Sequence, residues 1–126
     1  MTNKCYFTPK EVGICDSMTW DQIEAMQDLL IHVLIPLREW YGKPITVNSG
    51  FRTVAHNKAV GGAKNSHHLK GEAVDITTGS KEENKKLFEY IQKKLPYDQL
   101  IDEQLFSWLH ISFVVDGKCR KQVLHL

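Results

Sequence analysis

No CxxC pair occurs in this sequence, and its three thiols, Cys5, Cys15 and Cys119, make an odd number. That spacing argues against a disulfide framework and against a thiolate metal cage, both of which need cysteines in close sets. An excess of one charge is also missing: sixteen basic side chains stand against fifteen acidic ones, for a formal charge of +1. No global field draws such a chain to nucleic acid or to an anionic membrane, and no basic stripe is visible that would do so locally. No window reaches the roughly 18 apolar residues of a spanning helix. The opening residues, Met1 to Lys10, contain no apolar run of signal-peptide length, so synthesis in the cytoplasm is expected. Internal repeats, low-complexity tracts and long Gly/Ser/Pro linkers are absent as well.

What is present is the composition of an ordinary globular protein. Apolar residues make up 42% of the 126 and charged residues 25%. That length supports one hydrophobic core and leaves little chain for a second, so a single domain over residues 1–126 is expected, as a monomer.

Periodicity supplies the elements. Thr19-Trp-Asp-Gln22 has a hydroxyl residue followed three places later by Gln, a capping-box signature that starts a helix. Ile23, Met26, Leu30, Val33, Leu37 and Trp40 then recur at helical spacing and predict one buried stripe, with Pro36 as a kink. Ile45 to Ser49 alternates as a short strand, and Thr53 to Val60 reads as a short helix stopped by Gly61-Gly62. Glu72 to Thr77 is the next strand. Ser80-Lys-Glu-Glu83 repeats the capping pattern ahead of a helix with Leu87, Ile91 and Leu95 inward, ended by Pro96. Gln99 to Glu103 and Trp108 to Val115 read as successive strands, and Asp116-Gly117 predicts a tight turn into a last strand near Cys119 to Leu124. The expected fold is α+β, a mainly antiparallel sheet with helices packed on one face.

Side-chain direction turns this reading into chemistry. Alternate residues of a strand leave by opposite faces. Leu109, Ile111 and Phe113 share one apolar face, so His110 and Ser112 project from the other. Val74 and Ile76 likewise point to the core and Asp75 away from it. His68 lies seven residues before Asp75, and a turn at Gly71 can fold its imidazole back over the strand. Two imidazoles and one carboxylate form a mixed nitrogen and oxygen set that suits zinc over calcium or magnesium, while manganese, iron and cobalt accept the same donors. Three protein ligands leave a fourth position for water, which the ion acidifies into a nucleophile.

These residues also carry a resemblance. Ser66-His-His-Leu-Lys-Gly-Glu-Ala-Val-Asp75 matches SxHxxGxAxD, and Trp108-Leu-His-Ile-Ser112 matches WxHxS. The pair resembles the signatures of zinc D-Ala-D-Ala carboxypeptidases and related cell-wall peptidases. The stretch from His68 to Thr78 is also similar to the hedgehog signalling domain, which shares that fold and its zinc site. The resemblance runs from about Ser49 to Phe113. It implies a hedgehog/DD-peptidase-like fold with His68, Asp75 and His110 as zinc ligands. Ser49-Gly-Phe-Arg-Thr53 resembles an SGYRS element whose arginine binds substrate and steadies the scissile carbonyl oxygen, which implies that role for Arg52. Ser66 matches a small hydroxyl residue near the substrate, and it equally suits a cap for the turn that carries His68.

The sequence departs from the pattern at one place. Many family members have an acidic residue three positions before the last histidine, and here that position is Ser107. A proton acceptor is still needed for hydrolysis. Glu103 is the candidate, closing a segment similar to a hedgehog strand whose terminal glutamate approaches zinc; Asp102 and Glu72 are the alternatives. His32 reads as structural, and His56, His67 and His125 as non-ligands, with His125 at a frayed end. The resemblance implies a zinc peptidase acting on peptidoglycan stem peptides, as a carboxypeptidase or an endopeptidase, with a phage-type lytic enzyme the closest architecture. A zinc-stabilised hedgehog-like binding domain without turnover is the competing reading.

Overall fold

The computed structural model describes residues 6–62, 67–114 and 119–126. Its first helix, α1 (Trp20–Leu29), starts as the capping box requires. The Thr19 hydroxyl accepts from the Gln22 amide at 3.2 Å, and the Gln22 side chain accepts from the Thr19 amide at 2.8 Å. A π-helical turn, Leu30–Leu34, leads into α2 (Ile35–Tyr41), with Pro36 in its first turn. A proline has no amide to donate and its ring crowds the preceding turn. The wider π turn, in which the Ile35 amide reaches the Leu30 carbonyl, absorbs that defect without ending the helix. Met26, Leu29, Val33, Leu34 and Leu37 are fully buried. Trp40 departs from the expected stripe: it is 47% exposed, because the π turn shifts the helical phase before α2.

The remaining elements are β1 (Thr46–Ser49), α3 (Val54–Ala59), a 3-10 turn (His67–Lys70), β2 (Ala73–Thr77), α4 (Lys81–Lys94), β3 (Gln99–Glu103), β4 (Trp108–Ser112) and β5 (Gln122–His125). The strands form one sheet in the order β1-β2-β4-β3-β5. Helix α4 is capped by the Ser80 hydroxyl accepting from the Glu83 amide at 3.3 Å. The Glu83 carboxylate does not complete a box there; it accepts from Lys43 and Lys86 instead.

The sheet is mixed. β1 with β2, β2 with β4 and β4 with β3 are antiparallel, but β5 runs parallel to β3. A tight turn after β4 cannot place the last strand beside it, since β2 and β3 already occupy both of its edges. The chain therefore crosses to the outer edge of β3. There His125 is part of β5 and its Nδ1 contacts the Asp102 carboxylate, which replaces the frayed end expected from sequence. Asp98 holds the crossing, accepting two guanidinium bonds from Arg120 at 3.0 and 2.8 Å. Residues Asp116, Gly117 and Val115 lie outside the described set, as does Cys5; Cys15 and Cys119 are free thiols.

Helices cover one face of the sheet. Val74, Ile76, Leu100, Leu109 and Ile111 pack there with Met26, Leu29, Leu87 and Ile91 in one cluster. By alternation the opposite face carries Asp75, His110, Ile101 and Glu103. Among the described residues no helix is long and apolar enough to cross a membrane.

Candidate metal centre

The sheet register brings Asp75 and His110 together, since they are directly paired across β2 and β4. His110 Nδ1 lies 3.0 Å from Asp75 Oδ1. His68 reaches the same oxygen from outside the sheet, its Nε2 at 3.3 Å. One ligand atom from each of the three residues lies within 4.8 Å of the others. The turn that returns His68 depends on Gly71, whose φ of +72° is left-handed and whose β-carbon, if present, would lie 2.4 Å from the Gln22 carbonyl oxygen. The Gln22 side chain also holds the 3-10 turn, donating to the Leu69 carbonyl at 3.0 Å.

A second ring of contacts fixes these groups. His68 Nδ1 lies 2.6 Å from the Gly50 carbonyl oxygen. A carbonyl only accepts, so Nδ1 carries a proton and Nε2 turns a lone pair toward Asp75. Two acceptor atoms facing each other at 3.3 Å need a cation or a proton between them. Gly50 can present its carbonyl so closely because it lacks a side chain: a β-carbon there would lie 2.1 Å from the Val12 carbonyl oxygen. Val12 in turn accepts from the Phe51 amide at 2.9 Å.

Arg52 occupies the other carboxylate oxygen. Its Nη2 donates to Asp75 Oδ2 at 3.3 Å, its Nε to Ser49 Oγ at 3.0 Å and its Nη1 to Asn57 Oδ1 at 3.2 Å. Ser49 is aimed there by a bulge. Val47 pairs with Ile76 and Ser49 with Asp75, so two residues of β1 span one of β2 and Ser49 swings to the metal face. Burial pushes the Asp75 carboxyl up, but its close contacts with the His110 and His68 imidazoles outweigh it and hold the group well below the usual carboxylate range. Asp75 is therefore ionised at neutral pH and suited to hold a cation.

Glu103 and Trp108 are paired across β3 and β4 on the same face as His110. Trp108 Nε1 donates to Glu103 Oε2 at 2.8 Å. Asp102 faces the other way, toward His125. Glu72 precedes β2 in phase with Val74 and Ile76, away from Asp75. Ser66 and the side chains of His56 and His67 fall outside the described residues, and His32 stacks on Phe113 at 5.1 Å.

The donor set fits zinc. Bonds of 2.0–2.1 Å in tetrahedral geometry place ligand atoms about 3.3 Å apart, close to two of the separations observed. Comparison with known proteins agrees with this chemistry: the family model described as Peptidase M15 matches residues 5–112. The chain belongs to the peptidase M15 family. Over 38 residues this M15 peptidase is 60% identical to the zinc D-Ala-D-Ala carboxypeptidase of Streptomyces albus G. That match covers 30% of the M15 chain and 15% of the relative's length.

Several supporting residues were not visible in the sequence. Gly50, Ser49, Asn57 and Gln22 act through contacts whose partners are 18, 3, 5 and 47 residues away. The Trp108 to Glu103 bond was within reach, because a four-residue connection between two antiparallel strands sets those residues opposite each other.

Proposed function

We propose that this M15 peptidase is a zinc enzyme that hydrolyses peptide bonds in the stem peptides of peptidoglycan, as a D-Ala-D-Ala carboxypeptidase or a wall endopeptidase, and that it meets them at the cell wall. The observation that carries the reading is the convergence of His68 Nε2, Asp75 Oδ1 and His110 Nδ1, with the His68 lone pair fixed inward by the Gly50 carbonyl. When bound there, zinc supplies Lewis acidity that polarises a carbonyl and acidifies water. Arg52 fixes a permanent positive charge beside the same carboxylate and steadies negative charge that develops on the substrate oxygen. Glu103, oriented through Trp108, takes a proton from the attacking water and returns it to the leaving amine nitrogen. The partial match to a zinc D-Ala-D-Ala carboxypeptidase supports the substrate class.

The test uses Glu103→Gln, which keeps the Trp108 contact and removes the base. Incubation with zinc and peptidoglycan, followed by mass spectrometry of released peptides, should show hydrolysis reduced by about 10²-fold or more. Bound zinc should be unchanged. No cleavage by the parent protein under any metal would favour a binding domain that keeps the site without turnover.

A further inference from the structure

The helical face carries a second surface that the metal centre does not use. Trp40 on α2 stacks on Tyr90 of α4 with ring centroids 4.0 Å apart and planes 10° from parallel. Although stacked on one face, Trp40 stays 47% exposed. Together with Lys86, Glu89, Lys93 and Lys94 the rings line a cleft of about 300 Å³. Three ammonium groups meet one carboxylate there, and although Lys86 is bridged to Glu83 at 3.0 Å, the rim is cationic. A pre-stacked indole loses little conformational freedom when a flat ligand covers it.

Resting on the wall-peptidase reading above, we propose that this cleft is an accessory site for an anionic polysaccharide, namely stretches of the peptidoglycan glycan strand from which stem peptides have been removed. One face of a pyranose ring is a sheet of C–H bonds that packs on indole. In such stretches the lactyl carboxylates, which elsewhere on the strand are amide-linked to stem peptides, are free and complement Lys93 and Lys94 on the last turn of α4. The core sheet lies between this cleft and the metal centre, so one surface holds the polymer while the other meets its peptides. Holding such a stretch raises the effective concentration, at the catalytic face, of stem peptides still attached elsewhere on the same strand.

The experiment measures fluorescence anisotropy of end-labelled glycan strands freed of stem peptides, with chelator present, so that the metal centre has neither ion nor peptide. The parent protein should bind, with an affinity that falls as salt rises. Trp40→Ala should weaken binding by about tenfold, and Lys93→Glu with Lys94→Glu should weaken it at low salt and flatten the salt dependence. The lysine pair is exposed, so it tests the site even if Trp40→Ala fails to fold. Both variants should cleave a short soluble stem peptide at the parent rate. A parent protein that binds no strand, or variants that bind within about twofold of it, would overturn the site. Strand binding without any peptide cleavage would support the site and count against the peptidase reading; cleavage without strand binding would do the reverse.

Discussion

Arg52 is held in place by three protein acceptors, and one of them is the carboxylate that belongs to the metal centre. By occupying Oδ2 it leaves Oδ1 to face both imidazoles. Groups that orient a ligand in this way typically change metal affinity by about 10–100-fold when removed. Arg52→Ala should therefore weaken zinc binding by that order in a competition titration against a fluorescent chelator. Arg52→Lys should fall between, because an ammonium restores charge without the planar fork. Unchanged zinc affinity in both variants would separate Arg52 from the ligand and leave it only a role toward substrate. Glu72 shows the opposite electrostatic situation. Burial pushes its carboxyl above the ordinary range, Lys70 pulls it back and Asp98 adds a smaller upward push. The folded state thus holds the proton more tightly than the unfolded chain. Its favourable contribution is complete in acid, below the ordinary value of about 4.3, and is lost as pH rises through the raised folded value. Glu72→Gln is neutral at every pH, so its melting temperature should exceed that of the parent at pH 7, and the gap should close toward pH 4. A gap that is flat with pH would mean burial does not set this group.

Asn84 acts between elements. It is buried in α4, donates from Nδ2 to the Phe106 and Ser107 carbonyls at 2.7 and 3.2 Å, and accepts from the Thr78 amide at 2.8 Å. The loop it clamps is unusual. Gln104, Leu105 and Phe106 all have left-handed φ, at 52°, 54° and 64°. Non-glycine residues pay about 1 kcal/mol or more each for that conformation. Without Asn84 the Phe106 carbonyl and the Thr78 amide lose their side-chain partner while the Ser107 carbonyl keeps the Thr77 hydroxyl, so Asn84→Ala should destabilise the protein by about 2–3 kcal/mol in denaturant titration. Asn84→Asp should be no better, because it sets a carboxylate against the same two carbonyls. A loss below about 0.5 kcal/mol, the ordinary range for an inconsequential surface change, would show that the loop holds its own shape. The legibility of the sequence divides along the same line. The Thr19 cap, the inward face of α4 and the outward parity of Asp75 and His110 depend on neighbours within a few residues, and all three were readable. The exposure of Trp40 follows from the phase shift of the π turn, while the bulge that turns Ser49 and the parallel placement of β5 depend on tertiary packing, and a regular periodicity carries no trace of any of them. The left-handed loop was equally hidden, since none of its three residues is glycine or asparagine.

At the scale of the whole molecule, the sheet divides a helical side that supplies the core from an opposite side that supplies ligands. The three proposed ligands come from β2, β4 and the 3-10 turn, and the carbonyl that orients His68 comes from the loop after β1. An unfolded chain cannot hold these groups in one place, so zinc binds the folded state and stabilises it by mass action. At a free concentration 100-fold above its dissociation constant the gain is about 2.7 kcal/mol, which for a chain of this size raises the melting temperature by about 10 °C. Protein stripped by chelator should show that rise on adding zinc, and much less on adding magnesium, which prefers an oxygen-only shell. His110→Ala should abolish the zinc-dependent rise, because the two remaining donors leave the ion half coordinated. Glu103→Gln should keep it, because Glu103 is assigned to the proton and not to the ion. The contrast separates metal holding from catalysis without measuring a turnover. A zinc-dependent rise that survived His110→Ala intact would place the ion elsewhere and dissolve the three-residue centre on which the peptidase reading stands.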